Sequence, residues 1–477
     1  MNGENVLLMS VFVPLLGAFI LPLVGAGSIR LRNLLALVFV LVSLVASIIA
    51  LPVAVGGDPF SYKLSLPLGL SFGFLGDGLA AFMAIVSSLV GAIIVYYSFG
   101  YISHYKNQNE YYLMVVLFLG SMMGLVYSTN LIFLYLFWEI SAICCWRLIG
   151  FFREKEYVLR ADKAFLITVA GALMMLLGFI MIYQQTGTFD LTEMKGVRIS
   201  NAAVILILFG IFSKSATLPL HTWLADAGVA PSPVTSLLHA AVLVKIGVYV
   251  FARLFLINFS FDEIWHTVVP IIAAVSALVS AGAALVETDL KRIIAFSTVS
   301  QIGFIFLGLS CGSAIGAAGG LLYIMMHGIA KGGLFLCAGI VEQNAGTKDI
   351  RKLGGLITTM PVTAVAFIIC AFSVMGIPPF GGFFAKYMVI GGAVYAGQPW
   401  IAFTFMIGAV LTVLYLMRAF IKVFLGEPKM PEIKEGSLSM LVSVSLLGVL
   451  SVASGIFINI PSKYVEIIIQ QMVVNIR

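Results

Sequence analysis

Apolar stretches of about 20 residues recur from Val6 nearly to the end of the 477-residue chain. As a helix, each is long enough to cross a hydrocarbon core ~30 Å thick. Lipid gives the backbone no hydrogen-bond partner, so only helices or a closed barrel can span it. A barrel would show alternating segments of roughly ten residues, whereas these runs are long and continuous. The sequence therefore predicts an all-α polytopic membrane protein. Composition agrees, at 61% hydrophobic and 10% charged with mean hydropathy +1.10, against roughly a quarter charged in a soluble domain. Fourteen spans are predicted at about 4–25, 33–55, 78–100, 112–128, 130–150, 164–185, 202–224, 233–257, 265–286, 292–311, 314–343, 358–392, 400–425 and 437–460. The polar, Pro/Gly-containing segment 57–77 reads as a surface loop or short hairpin. The first run has no basic flank and no cleavage site, so it reads as a span and not as a removed signal.

Basic residues outside the spans divide unevenly. Fifteen (Arg30, Arg32, Lys106, Arg153, Lys155, Arg160, Lys163, Lys291, Arg292, Lys348, Arg351, Lys352, Lys422, Lys429 and Lys434) follow odd-numbered spans. Six lie on the opposite side: Lys63, Lys195, Arg198, Arg253, Lys463 and Arg477. The positive-inside rule then turns both termini outward, as an even number of spans requires. The five cysteines, Cys144, Cys145, Cys311, Cys337 and Cys370, fall in predicted spans without metal-ligand spacing. They read as small apolar side chains, and no metal site is predicted. A net charge of +6 gives no sign of a nucleic-acid partner.

Six cations remain inside predicted spans: Arg147, Lys214, Lys245, Lys331, Lys386 and Arg418. Glu139 is the plainly intramembrane carboxylate, and Asp226 lies near a break after span 7. A charge at a helix centre costs at least ~2.5–3.5 kcal/mol, so a set this large needs a reason. Arg147 and Arg418, near span ends, can snorkel to the interface. Lys214 and Lys245 lie deeper, where snorkelling is hard. Burial in a low dielectric disfavours an ammonium, while a nearby carboxylate favours it. A buried lysine whose carboxylate partner moves away is therefore a switchable proton site. Histidines extend the pattern. His239 precedes Lys245 by six residues, His327 and Lys331 share one face of span 11, and His221 sits in the break.

The breaks come as a pair. Aligning IFSKSATLPLHTW with AFSVMGIPPFGGF superposes Phe212-Ser213 on Phe372-Ser373 and Pro219 on Pro379 at a single offset, with no gap. Pro219 and the Pro378-Pro379 pair each interrupt a span, and paired interruptions in two halves point to a transporter's ion site. Backbone freed by proline must be buried in protein or face water. The halves differ in charge, since Lys214 precedes its proline and Lys386 follows its pair. Glu139 has no acidic counterpart near position 299, in TVSQIG.

The stretches FWEISAICCW, FGIFSKSATLPLHTWLADAGVAPSPVTSLLHAAVLVKIGVY, ETDLKRIIAFSTVSQIGF, HGIAKGGLFLCAG and GIPPFGGFFAKY resemble the antiporter-type subunits of respiratory complex I. The same family includes the large subunits of Mrp cation/proton antiporters and antiporter-like subunits of membrane-bound hydrogenases. The resemblance covers most of residues 80–425. It implies two inverted five-helix repeats, spans 4–8 and 9–13, with broken helices 7 and 12. It makes Glu139 the span-5 glutamate, Lys214 its ion-pair partner on span 7, Lys245 the central span-8 lysine, and His327 with Lys331 the span-11 connectors. Lysine at 386 resembles the Mrp, hydrogenase and most complex I forms. After span 14 the sequence leaves no room for the long lateral helix that some complex I members append, so none is expected. Arg147, two turns after Glu139, departs from the pattern, and reads as a second partner for Glu139 or as an interfacial anchor.

The domains expected are 1–110 (spans 1–3), 111–258, 259–426, and 427–477. The function expected is that of a proton-translocating, antiporter-like subunit of an energy-converting membrane complex. Its partners would be further antiporter-like subunits and a hydrogenase- or quinone-reductase-like arm, with H⁺ and Na⁺ as the ions. The relay would comprise Glu139, Lys214, Lys245, His327, Lys331 and Lys386. Alternatives are an Mrp-type Na⁺/H⁺ antiporter subunit without redox chemistry, a self-sufficient solute transporter, and a structural anchor. No GxGxxG context or CxxC set occurs, so no cofactor and no catalytic centre is expected in this chain. The location expected is the cell (inner) membrane.

Overall fold

The computed structural model describes residues 3–67, 70–430 and 432–472; Arg477, one of the expected outer charges, lies outside the described residues. Helices α1 (Gly3–Gly27), α2 (Ile29–Val55), α3 (Gly78–Tyr101), α4 (Gln108–Tyr127), α5 (Leu131–Ile149) and α6 (Lys155–Thr186) come first. Between α2 and α3 the polar segment forms an antiparallel hairpin, β1 (Phe60–Ser65) with β2 (Ser71–Gly76). Asp190, in the loop after α6, holds that hairpin: it accepts from Lys63 at 2.7 Å and Ser71 at 2.9 Å. Burial pushes the Asp190 carboxyl up, but the bonds from Lys63, Thr192 and Ser71 outweigh it and hold it below the usual carboxylate range.

Span 7 breaks as expected. It runs as α7 (Asn201–Lys214), an irregular turn, and the short α8 (Thr222–Asp226). Span 8 comprises α9 (Ser232–Ser236), a π-helical stretch Leu237–Ala241, α10 (Leu243–Phe251) and a second π-helical stretch Ala252–Asn258. Short strands β3 (Val197–Arg198) and β4 (Phe259–Ser260) pair in parallel beyond it. Then follow α11 (Trp265–Val286), α12 (Leu290–Ser310) and α13 (Ala314–Ala345). Span 12 breaks into α14 (Pro361–Met375) and α15 (Gly381–Tyr395), before α16 (Pro399–Phe424), α17 (Leu438–Ile456) and α18 (Asn459–Gln471). Among the described residues, twelve spans are long and apolar enough to cross a membrane, and the two shorter apolar helices are α7 and α14. These two are the first halves of the spans that the prolines interrupt. α18 is an amphipathic helix where hydropathy suggests only a tail.

A constant offset relates two stretches of the chain. α6 and α13 are both 32 residues long, begin at Lys155 and Ala314, and end in left-handed glycines, Gly187 and Gly346. Asn130 caps α5 and bridges Asp190; Asp289 caps α12 and bridges Asp349. The same separation in sequence relates every one of these pairs. Each bridge also carries the same two backbone bonds: Leu131 to Phe189 and Leu191 to Thr129, then Leu290 to Lys348 and Ile350 to Thr288. Leu218-Pro219 and Pro378-Pro379, related by almost the same separation, are both cis peptides.

The core sits in α3, α12, α13 and span 8, which are almost wholly buried, whereas α2 and α16 present broad apolar faces outward. Close backbone approach at the second break requires glycine. Gly376 ends α14 at φ +82°, and a Cβ on Gly382 would fall 1.9 Å from the Ser373 carbonyl oxygen. Because that obstacle is main chain, Gly382→Ala is expected to displace α15 and cost about 1–3 kcal/mol, read as a lower Tm of the purified assembly.

Candidate functional site

Near the two breaks, buried amines sit on main-chain carbonyls. Lys214 is the last residue of α7, not a mid-helix residue as the span boundaries suggest, and its charge complements the negative end of that half-helix. Its Nζ donates to the Trp138 carbonyl at 3.1 Å and lies 5.1 Å from the Trp138 ring. Glu139 is the next residue on α5, half-buried, with Oε1 lacking a hydrogen-bond partner. No ion pair between Glu139 and Lys214 occurs among the described residues; the two are neighbours held apart, with the ammonium on main chain. The Trp223 indole covers the end of α7 by donating to the Ser213 carbonyl at 2.9 Å. Thr217 Oγ1 and His221 Nδ1, within the same break, are buried without a partner.

Lys245 occupies the centre. The π-helical turn before it exposes the Ala240 carbonyl, and Lys245 Nζ donates to that oxygen and contacts His327 Nδ1 at 3.0 Å. π-turns inside helices recur at functional sites for this reason. Lys245, His327, Lys331 and His239 are all fully buried. His239 lies on the π-turn with its ring 4.4 Å from that of Phe335, and neither nitrogen has a hydrogen-bond partner. Ser215, beside Lys214, donates to the Val244 carbonyl at 3.3 Å, which ties the first break to the residue before Lys245.

In the second half Lys331 donates to the Ile294 carbonyl at 3.1 Å and to Ser297 Oγ at 2.5 Å. Lys386, on α15, donates to the Val374 carbonyl at the end of α14 at 2.7 Å, with Phe304 and Tyr323 rings 4.4 and 5.6 Å from its Nζ. Here the amine sits on a carbonyl at the end of the first half of its own broken span, whereas Lys214 reaches a carbonyl of the unbroken α5.

Three residues singled out in the sequence lie elsewhere. Arg147 pairs with Glu110 at the start of α4, and Arg153 binds the other oxygen of the same carboxylate at 2.6 Å; Arg147 is an anchor at the helix end and not a partner of Glu139. Asp226 accepts from Lys163 at 2.7 Å and Arg292 at 3.0 Å, joining α6 to α12. Arg418 donates to the Glu287 carbonyl. Three cations counted outside the spans, Arg32, Lys291 and Arg253, are buried instead. Lys291 pairs with Glu342 at 2.9 Å. Arg253, within the second π-stretch, grips both oxygens of Asp77 and donates to Tyr249 OH at 2.9 Å. Asp77 and Arg253 line a cavity of about 240 Å³ beside the hairpin, with Thr129, Thr192, Lys195 and Asn258. Arg253 falls within the expected span 233–257, and the second π-helical stretch holds it in the buried end of span 8. Among the described residues no group of three or more His, Cys, Asp or Glu is arranged to hold a metal ion, and the five cysteines are free and buried.

Two broken spans, a buried row of amines set on main-chain carbonyls, and local structure that recurs at a constant offset define a class of polytopic helical membrane protein. Residues 128–412 match the family model described as NADH:quinone oxidoreductase/Mrp antiporter, TM, and residues 65–112 match complex I chain 5 N-terminus. The chain belongs to this family. An Na(+)/H(+) antiporter subunit of Alkalihalophilus pseudofirmus is 36% identical over 437 residues, covering 82% of this chain and 53% of that protein. An Na(+)/H(+) antiporter subunit of Staphylococcus aureus strain JH9 is 34% identical over 424 residues, with the same coverage. The chain thus spans about half the length of these curated relatives. In the Mrp complex from Dietzia sp. DQ12-45-1b one chain matches at TM-score 0.90 and 25% identity, covering 99% of this chain and 98% of that one. A chain of the membrane-bound sulfane sulfur reductase, an archaeal respiratory membrane complex, shares the fold at TM-score 0.88 and 23% identity, with 98% of each covered.

Proposed function

We propose that this chain is a proton-translocating, antiporter-like subunit of a multisubunit membrane complex. The observation that carries the proposal is the row of fully or nearly buried amines, Lys214, Lys245, Lys331 and Lys386, each on a main-chain carbonyl. Such amines hold a proton without a permanent counter-ion. Glu139, beside Lys214, is the mobile carboxylate of the first half: approach to Nζ retains the proton there, and withdrawal releases it toward Lys245 and His327. The unpartnered atoms of Thr217, His221, Glu139 and His239 are groups that water would satisfy, and water beside the first break supplies the path that side chains alone do not close.

The constant offset supports residues 111–258 and 259–426 as two repeats flanked by 1–110 and 427–477. Alternate crossing puts the Asn130–Asp190 bridge on the hairpin face and the Asp289–Asp349 bridge on the other, which supports their inversion. The basic loops favour a cell membrane location with both termini outward. Partners would be other membrane subunits, including further antiporter-like ones. Between a redox-driven complex and an Mrp-type Na⁺/H⁺ antiporter, the names of the relatives at 34–36% identity favour the second.

Membrane vesicles carrying the whole complex test both points. Na⁺ addition, without any electron donor, should dissipate an imposed pH gradient if the Mrp reading holds; dependence on an electron donor would favour the redox reading. Glu139→Ala and Lys214→Ala should each abolish proton movement while the complex still assembles, and wild-type movement in both would refute the relay.

A further inference from the structure

Lys331 has no carboxylate. The titratable groups facing it are His327 on its own helix, His239 and Lys245 from span 8, and Lys386 from α15, with Tyr415 one hydroxyl away; no ion pair to Lys331 occurs among the described residues. What it has is a chain of neutral, fully buried hydroxyls. Ser297 Oγ, 2.5 Å from Lys331 Nζ, is 2.7 Å from Tyr415 OH. Tyr415 OH donates to Thr412 Oγ1 at 3.3 Å, and Thr412 donates to the Gly408 carbonyl at 2.7 Å. Gln301 frames the chain. Its amide nitrogen donates to Tyr415 OH and to Thr412 Oγ1, both at 3.2 Å, and its oxygen accepts from Tyr323 OH at 2.6 Å.

A hydroxyl has one proton to give, so these contacts fix a direction. With Lys331 charged, Nζ donates to Ser297, Ser297 to Tyr415, and Tyr415 to Thr412. If Nζ loses its proton, the free amine becomes an acceptor. Ser297 then turns its proton to Nζ, and Tyr415 turns its own to Ser297. Thr412 stays on Gly408, and Gln301 stays where the Tyr323 bond holds it. Two hydroxyl rotors therefore follow the charge of the lysine within a fixed amide frame. An amide nitrogen accepts no proton, so the same frame separates this chain from Tyr323 and the Lys386 side.

Resting on the proton-transfer reading, we propose that Ser297, Tyr415 and Gln301 are positioning residues that poise Lys331 in place of a carboxylate. The first half would hold its proton by an ion pair, and the second by oriented dipoles. Charge-assisted and cooperative hydrogen bonds are strong enough in a low dielectric for this role.

The test uses the whole complex in vesicles and reads proton movement across a pH series. In Gln301→Glu an acceptor-only carboxylate accepts the Tyr415 hydrogen bond and favours the charged arrangement. The pH of half-maximal transport should rise by about one unit or more. Gln301→Met removes the frame, and Tyr415→Phe removes a rotor; each should move the profile the other way. Shifts of opposite sign at one position are not produced by a packing defect. Unshifted profiles, or the same shift in Gln301→Glu and Gln301→Met, would overturn the inference, and Tyr415→Phe decides it if either Gln301 variant fails to assemble. Lys331→Ala separates the two levels. Loss of transport there with unshifted Gln301 and Tyr415 variants sinks this inference alone, whereas wild-type transport there sinks the relay beneath it.

Discussion

Lys245→Met should lower proton movement by about 100-fold or more, the scale set by losing a positioned proton-transfer group, while leaving the complex assembled. Methionine keeps the length and apolar stem, so packing of the fully buried position survives. What disappears is the amine that donates to the Ala240 carbonyl and contacts His327 Nδ1 at 3.0 Å. Replacing Lys245 by arginine tests geometry separately: the charge remains, but a guanidinium does not give up its proton in a protein. Transport should fail in Arg as in Met. Activity retained with arginine would mean that a fixed charge, and not proton exchange, is what the centre needs.

Arg253→Met is expected to act on stability by removing one side of a buried ion pair. The Arg253 side chain is 7% exposed and binds both oxygens of Asp77, which also caps α3 by accepting from Ala80 at 2.9 Å. Removing the guanidinium leaves a largely buried carboxylate without its counter-ion, a loss on the order of 3–5 kcal/mol. The double change Asp77→Asn with Arg253→Met should recover much of it, because asparagine still caps the helix and carries no charge. Thermal unfolding of the purified assembly measures all three. A double variant no better than Arg253→Met alone would show that the arginine acts through Tyr249 and packing and not through Asp77.

The two breaks and the four buried lysines are legible because each breaks a rule that lipid enforces. A lysine in an apolar run is expensive, and a proline in a span frees carbonyls, so both stand out in one sequence. Ser297, Gln301, Thr412 and Tyr415 do not stand out. Small polar residues on a buried helix carry little penalty, and their meaning lies in contacts across as many as 118 residues. Arg147 can be read as a partner for Glu139 when spacing along one helix is the only geometry available; Glu110, its actual partner, is 37 residues earlier on another helix. Arg253 is misplaced because, near the end of span 8, hydropathy does not separate a buried cation from an interfacial one, and its partner Asp77 is 176 residues earlier. Placing Lys214 at a helix terminus needs the exact site of the break, which Pro219 suggests only to within a turn.

The constant offset between the two stretches gives this chain its own control experiment. Gly187 and Gly346 end equally long helices in the same left-handed conformation but in different surroundings. A substitution at one member and its twin imposes the same local change twice within one molecule, at the same expression level and in the same complex. Any difference between the two outcomes belongs to position in the assembly, because the local chemistry cancels. Such twin pairs can therefore report which half of the subunit limits the overall rate.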